Sequence, residues 1–289
     1  MGGAILGSEA VASGAVTRGR LRWNYRTIYP DVYVPRDCLP SIRDRAHGAW
    51  LWSGRRAVIT GRAAAALHGA RWVDDAAPVE VIWANNRSPR NVIARRERIE
   101  PDEVCRLRDG MPVATPARTA LDLGRHLPFG EAVAHLDALA RATRVPAADV
   151  SALTYRYAGA RGVRCCRTAL DMMDAGAESP KETWLRLLLI RGGFGRPTTQ
   201  IPLYEYGEPA ACLDMGWPSI RVAVDYDGDH HRTDRAIYVK GIRRDELIAR
   251  LDWLNIRVVK EDREIDILAR VRDAWLRRER EGMVVPWPK

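Results

Sequence analysis

RVAVDYDGDHHRTD, residues 221–234, opens as a strand and closes as a crowd of ionisable groups, with Asp225, Asp227, Asp229, His230 and His231 close together. Two carboxylates about 5 Å apart repel by roughly 3 kcal/mol at an effective dielectric near 20, so a cation or a proton has to offset the crowding. Strand alternation sets Val222, Val224 and Tyr226 on one face and Ala223, Asp225 and Asp227 on the other. Upstream, ACLDM (211–215) reads as a partner strand. A hairpin through the GWPS turn (216–219) would bring Asp214 almost opposite Asp225, a destabilising juxtaposition in a sheet. Converging carboxylates with room for water are the donor set of a hard cation, Mg²⁺ or Mn²⁺.

Such an ion serves phosphodiester hydrolysis: it polarises the phosphate, acidifies its own water and stabilises the leaving oxygen. His231, just past the strand, is placed for general acid or base work. Glu182 sits in Ser179-Pro180-Lys181-Glu182, a capping box that explains it without further function, yet a helix start beside the sheet also brings it within reach of a metal-bound water. Against these readings stand plainer ones, in which Asp227-Gly228 is a turn and Asp229 caps the next helix. No HExxH or cysteine pair suggests zinc, and RGGFG (191–195) reads as a helix stop rather than a nucleotide cradle.

Around this stretch the pattern runs helix (179–193), strands (199–206, 211–215, 220–227), helix (233–254), strand (256–260), helix (262–280). That order predicts an α/β fold, a mixed sheet with helices on both faces. The small-residue break DAGAES (174–179) divides the chain into regions 1–176 and 177–289. Before it, residues 8–25 read as short helices capped by Ser8 and Thr17, and RTIYPDVYVP (26–35) as a hairpin. Together they form either a reduced winged helix or a hairpin packed on the following domain. Helices over 41–53 and 60–70, strands over 79–84 and 91–99 joined by NNRSPR (85–90), and helical spacing from 115 to 175 complete an α+β region. His68 and His126 fall in helical context and read as core or surface residues.

The chain of 289 residues carries a net charge of +9. Its first 176 residues hold 26 arginines and no lysine against 18 acids, whereas the remainder holds 20 basic against 19 acidic residues. An arginine-rich region favours a polyanion, because guanidinium forks match phosphate oxygens and counterion release adds affinity; arginine preference across a genome gives the same composition. Arg18, Arg20, Arg22 and Arg26 are the candidate nucleic-acid contacts. Five cysteines without a CxxC pair fit a reducing cytoplasm better than a disulfide framework. The amino-terminal stretch lacks the basic start of a signal peptide, and no run is long enough to cross a membrane.

ESPKETWLRLLL (178–189), LDMGWP (213–218), VAVDYDGDHHRTDR (222–235), RRDELIARLDW (243–253) and IRVV (256–259) together resemble the Vsr-like branch of the PD-(D/E)xK nucleases, over about residues 177–280. The resemblance implies a nuclease core with Asp214 as the motif Asp, Asp225 in the place usually held by Glu, Asp227 in that of the motif Lys, His231 after the turn, and Glu182 as the helix acid. Asp214, Asp225 and Glu182 would hold the metal. Gly241 interrupts the next helix, and Asp252 stands where a Gly normally precedes the Trp. RTIYPDVYVP (26–35), TGRAAAALHGARWV (60–73), PVEVIW (78–83) and PVATPARTALDLG (112–124) resemble the AbiEi antitoxin family over roughly residues 8–175. That likeness implies a winged-helix-like start, promoter repression and a cognate toxin. The expectation is a cytoplasmic, Mg²⁺-dependent DNA endonuclease, and the alternative a non-catalytic DNA-binding antitoxin or repressor with an inactive nuclease fold. Oligomeric state is not legible.

Overall fold

A computed structural model describes residues 3–84, 87–228 and 235–283, in two units, Met1–Ala175 and Gly176–Lys289. The first begins with β1 (Ile5–Leu6), α1 (Gly7–Ala12) and α2 (Arg18–Asn24), which passes directly into β2 (Tyr25–Tyr29) and its hairpin partner β3 (Val32–Pro35). Thr17 caps α2 by accepting the Arg20 N–H at 3.2 Å. Ser8, expected as a cap, lies inside α1 and donates through N and Oγ to Asp31 at the hairpin turn, at 3.0 and 2.5 Å. The sheet order is β1-β3-β2. Tyr29, Val32 and Val34 share one core with α3 (Ile42–Trp52), β4 (Val58–Thr60), α4 (Gly61–Leu67) and β5 (Val79–Ile82). The hairpin is therefore fastened to the body that follows it.

With β6 (Val92–Arg95), β7 (Val104–Arg106) and β8 (Pro112–Ala114) the body forms a second sheet of order β6-β5-β4-β8-β7. β5 and β6 are the two strands expected around 85–90, but they run parallel, Val79 against Val92. Four helices follow: α5 (Pro116–His126), α6 (Phe129–Thr143), α7 (Ala147–Arg156) and α8 (Val163–Asp171). Leu121, Leu153 and Cys166 join α5, α7 and α8.

The second unit comprises α9 (Pro180–Arg191), β9 (Thr198–Glu205), β10 (Glu208–Trp217), β11 (Val222–Tyr226), α10 (Arg235–Arg250), β12 (Leu254–Val258) and α11 (Glu264–Arg280). Its sheet has the order β12-β11-β10-β9. β11 and β12 are parallel, as a crossover through α10 requires, and the other pairs are antiparallel. Leu185, Leu188 and Leu189 of α9 and Ile267, Val271 and Trp275 of α11 bury one face, over Met215, Trp217, Val222, Val224 and Val258. Ile248 of α10 meets Ile201, Leu203, Leu213 and Ala223 in a separate cluster. The mixed sheet flanked by helices agrees with the α/β expectation at that level.

Two departures read from the sequence now have local explanations. α10 continues through Gly241 without interruption. Asp252, after α10, adopts φ 58°, the left-handed backbone that favours Gly, and Asp is among the few residues that tolerate it. Among the described residues no helix is long and apolar enough to cross a membrane.

Candidate functional site

The β10–β11 ladder pairs Trp217 with Val222, Gly216 with Ala223 and Met215 with Val224. Gly216 permits this approach, since a Cβ there would stand 2.9 Å from the Ala223 Cα. The next rung is Asp214 opposite Asp225, and there the ladder changes character. Asp225 Oδ1 accepts the Asp214 N–H at 2.9 Å, and Asp214 Oδ2 accepts the Tyr226 N–H at 2.8 Å. Carboxylates have replaced backbone carbonyls as acceptors, so the charged pair satisfies the N–H groups that the opening ladder would otherwise strand.

Asp225 is 5% exposed. Its Oδ2 accepts from Arg244 Nη2 and from Asn255 Nδ2, each at 2.7 Å, and the same Arg244 nitrogen donates to the Cys212 carbonyl at 2.8 Å. Arg244 thus reaches from α10 to β10 and β11 at once. Burial first, and then the negative charge of Asp225, push the Asp214 carboxyl up to about 7; the Tyr226 N–H opposes this and Glu182 adds to it. A proton and a guanidinium together offset the repulsion that the sequence presents.

Glu182 makes half of the capping box its sequence implied: Ser179 caps its N–H, but its carboxylate turns to the Ser179 hydroxyl and the Glu178 N–H. Its Oε1 accepts from Ser179 Oγ and its Oε2 from the Glu178 N–H, both at 2.9 Å, while its own N–H reaches Ser179 Oγ at 3.2 Å. Asp227 lies just past β11 and donates its N–H to the Val258 carbonyl; its carboxylate makes no hydrogen bond to the pair. His231, with Asp229 and His230, falls outside the described residues.

This arrangement does not fit a divalent ion. Both oxygens of Asp225 are engaged, one of them by a cation, and Glu182 serves its cap. Among the described residues, Asp214, Asp225 and Glu182 do not bring their ligand atoms within 4.8 Å of one another; Glu97, Asp122 and His126 of the first unit do.

That second group belongs to a network that sequence reading missed. Arg118, fully buried, donates Nε to both Asp122 oxygens at 3.1 Å and Nη1 to Glu103 at 2.5 Å, and lies over the Tyr157 ring. Asp122 also accepts from Thr60 Oγ1 at 2.5 Å, and Tyr157 OH donates to Glu103 at 2.8 Å. Arg125 grips Glu97 at 2.7 and 3.2 Å, with His126 Nε2 at 3.0 Å from the same carboxylate. Burial would raise the Glu97 carboxyl, but His126 and Arg125 outweigh it and hold it at about 2. Two guanidiniums already balance these acids, so the group is a closed ion-pair network rather than a vacant donor set. Its one sequence signal is PARTALD (116–122), which spaces Arg118 and Asp122 one helical turn apart.

In the basic segment no acid occurs between Glu9 and Asp31. α2 buries none of its residues and exposes Arg18, Arg20 and Arg22. Trp23 is 72% exposed, with the Arg22 guanidinium 5.8 Å from its ring centre. Arg36, from the end of the hairpin, donates to the Arg22 and Tyr25 carbonyls at 3.1 and 3.4 Å and so closes the carboxyl end of the helix. Arg26 differs from the other three. It is half-buried and donates Nη2 to the Cys38 carbonyl at 2.6 Å.

A mixed α/β chain with a basic first unit and a self-neutralised acidic cluster in the second is the class these observations define. Residues 53–174 match the AbiEi antitoxin C-terminal domain family. Two proteins of Mycobacterium tuberculosis, from strains CDC 1551 / Oshkosh and ATCC 25618 / H37Rv and both described as uncharacterized, are each 29% identical over 153 residues, 53% of this chain and 56% of theirs. The match thus spans little more than half the length of these relatives. No solved structure matches the chain significantly. The family match ends at residue 174, and the Vsr-like expectation for the second unit finds no support in these comparisons.

Proposed function

We propose that this chain is a DNA-binding antitoxin or repressor of the AbiEi type, acting with a cognate toxin, whose second unit is a non-catalytic scaffold. The observation that carries this reading is α2: a helix with no buried residue and no acid, presenting Arg18, Arg20, Arg22 and Trp23 to solvent on a hairpin fixed in the core. A surface that contributes nothing to the core and concentrates guanidinium groups suits a phosphate backbone. The match of residues 53–174 to an antitoxin domain supports it. Arg26 is the weakest of the four candidate contacts, because it is half-buried and one of its guanidinium nitrogens is held by the Cys38 carbonyl. The test is a shift assay with the chain's own promoter, without metal. Tight binding weakened by Arg18→Ala, Arg20→Ala and Arg22→Ala is the expected result; absence of binding to any duplex at low salt would overturn it.

One observation favours the second reading, a Mg²⁺-dependent endonuclease: Asp214 and Asp225 are indeed opposed at the end of a hairpin. It requires Arg244 to leave Asp225, and it predicts Mg²⁺- or Mn²⁺-dependent strand cleavage that is abolished in Asp225→Ala.

A further inference from the structure

A carboxylate pair at the mouth of an opened hairpin needs positive charge, and the sequence alone leaves its source unnamed. The structure supplies one from 19 positions further along the chain. Arg244 Nη2 stands 2.7 Å from Asp225 Oδ2 and 2.8 Å from the Cys212 carbonyl, with its side chain about a quarter exposed and that of Asp225 only 7% exposed. Asn255, on β12, donates to the same oxygen at 2.7 Å. The third strand thereby joins the network.

We propose that Arg244 is the resident counter-ion of the Asp214–Asp225 pair, a built-in cation that occupies the role a divalent ion would otherwise fill and clasps α10 to β10 and β11. Three observations carry it. Asp225 receives three hydrogen bonds, two of them on Oδ2, so an ion could take that oxygen only by displacing a donor. The guanidinium bonds a backbone carbonyl and a carboxylate together, where a bare surface ion pair would have only the carboxylate. The ladder stops at this rung, so the clasp holds the strands where backbone pairing no longer does.

The inference is independent of the DNA-binding reading, since failure of promoter binding would leave it intact. It is tested on the full-length chain with Mn²⁺ as probe. Calorimetric titration of wild type should show no Mn²⁺ site that depends on Asp225, and millimolar Mn²⁺ should leave the melting temperature unchanged. Arg244→Gln should melt lower, by about 5–10 °C. It should also gain a Mn²⁺ site that restores part of the loss and disappears in Arg244→Gln/Asp225→Asn. The double variant should melt above the sum of the two single losses, because it leaves no unpaired buried charge. A wild-type Mn²⁺ site abolished by Asp225→Asn would overturn the proposal, as would additive losses in the double variant. If Arg244→Gln does not fold, the wild-type titration and recovery of folding in the double variant still decide.

Discussion

Arg118 shows what a single buried charge can organise. Its guanidinium engages Asp122 and Glu103 and stacks on Tyr157, all within the region matched to the antitoxin domain. Removing one partner of such a network leaves the others charged and unpaired, so Arg118→Met should lower the stability of the first unit by about 3–5 kcal/mol in urea denaturation. Arg118→Lys should recover little, since an ammonium cannot reproduce the planar fork. Asp214 makes a prediction of opposite character. Its carboxyl is raised from 3.8 to about 7 in the folded state, chiefly by burial and then by Asp225. The folded state therefore holds a proton that the unfolded state releases, and the contribution is complete below pH 4 and disappears as pH rises through 7. Between about pH 5 and pH 8 the second unit should lose on the order of 2 kcal/mol from this group, and Asp214→Asn should flatten that slope in denaturant melts. The position of Asp214 opposite Asp225 was legible from the distance of each to the GWPS turn. Arg244 was not, because it lies on the crossover helix itself, and nothing in a linear pattern states which helix face meets the sheet.

Among the elements, those with long periodic patterns were readable and the shortest ones were not. α9 with its Ser179 cap, α10, α11 and the β10–β11 hairpin all follow from apolar spacing and cap residues. β4, β7 and β8, at three residues each, are too short for alternation to mark them, and the parallel pairing of β5 and β6 depends on tertiary context. The end of α10 shows how one element can accept an unfavourable residue. Asp252 takes the left-handed conformation at φ 58°, and its carboxylate meets the buried Arg278 at 3.2 Å. Asp252→Ala should cost about 1–2 kcal/mol, through backbone strain and the missing partner, while Asp252→Gly should cost less because only the partner is removed; thermal melts of the two variants separate these causes. On α2 the distinction between free and engaged arginines is measurable. Each of Arg18→Ala, Arg20→Ala and Arg22→Ala should shallow the dependence of log K on log salt for DNA by about 0.9 for every phosphate that is no longer neutralised. Arg26→Ala should change that slope less, because Arg26 is half-buried and its Nη2 is held by the Cys38 carbonyl.

For the whole molecule, the uneven charge argues for a division of labour. The excess of arginine over acid belongs almost entirely to the first 176 residues, and the remainder is close to neutral. Long-range attraction to a polyanion scales with net positive charge and with the phosphates neutralised, so the first unit should carry the electrostatic part of DNA binding. Each unit also has its own apolar core, a condition for folding alone. A fragment of residues 1–175 should therefore fold, bind promoter DNA, and keep a salt slope within about one unit of the full chain. Residues 176–289 should fold but bind the same DNA only weakly and with a shallow slope. The comparison is made by fluorescence anisotropy across a salt series, with circular dichroism confirming that each fragment is folded. If the folded first fragment shows no such slope, or the second carries it, the basic helix is not what touches DNA, and the arginine excess reflects composition alone.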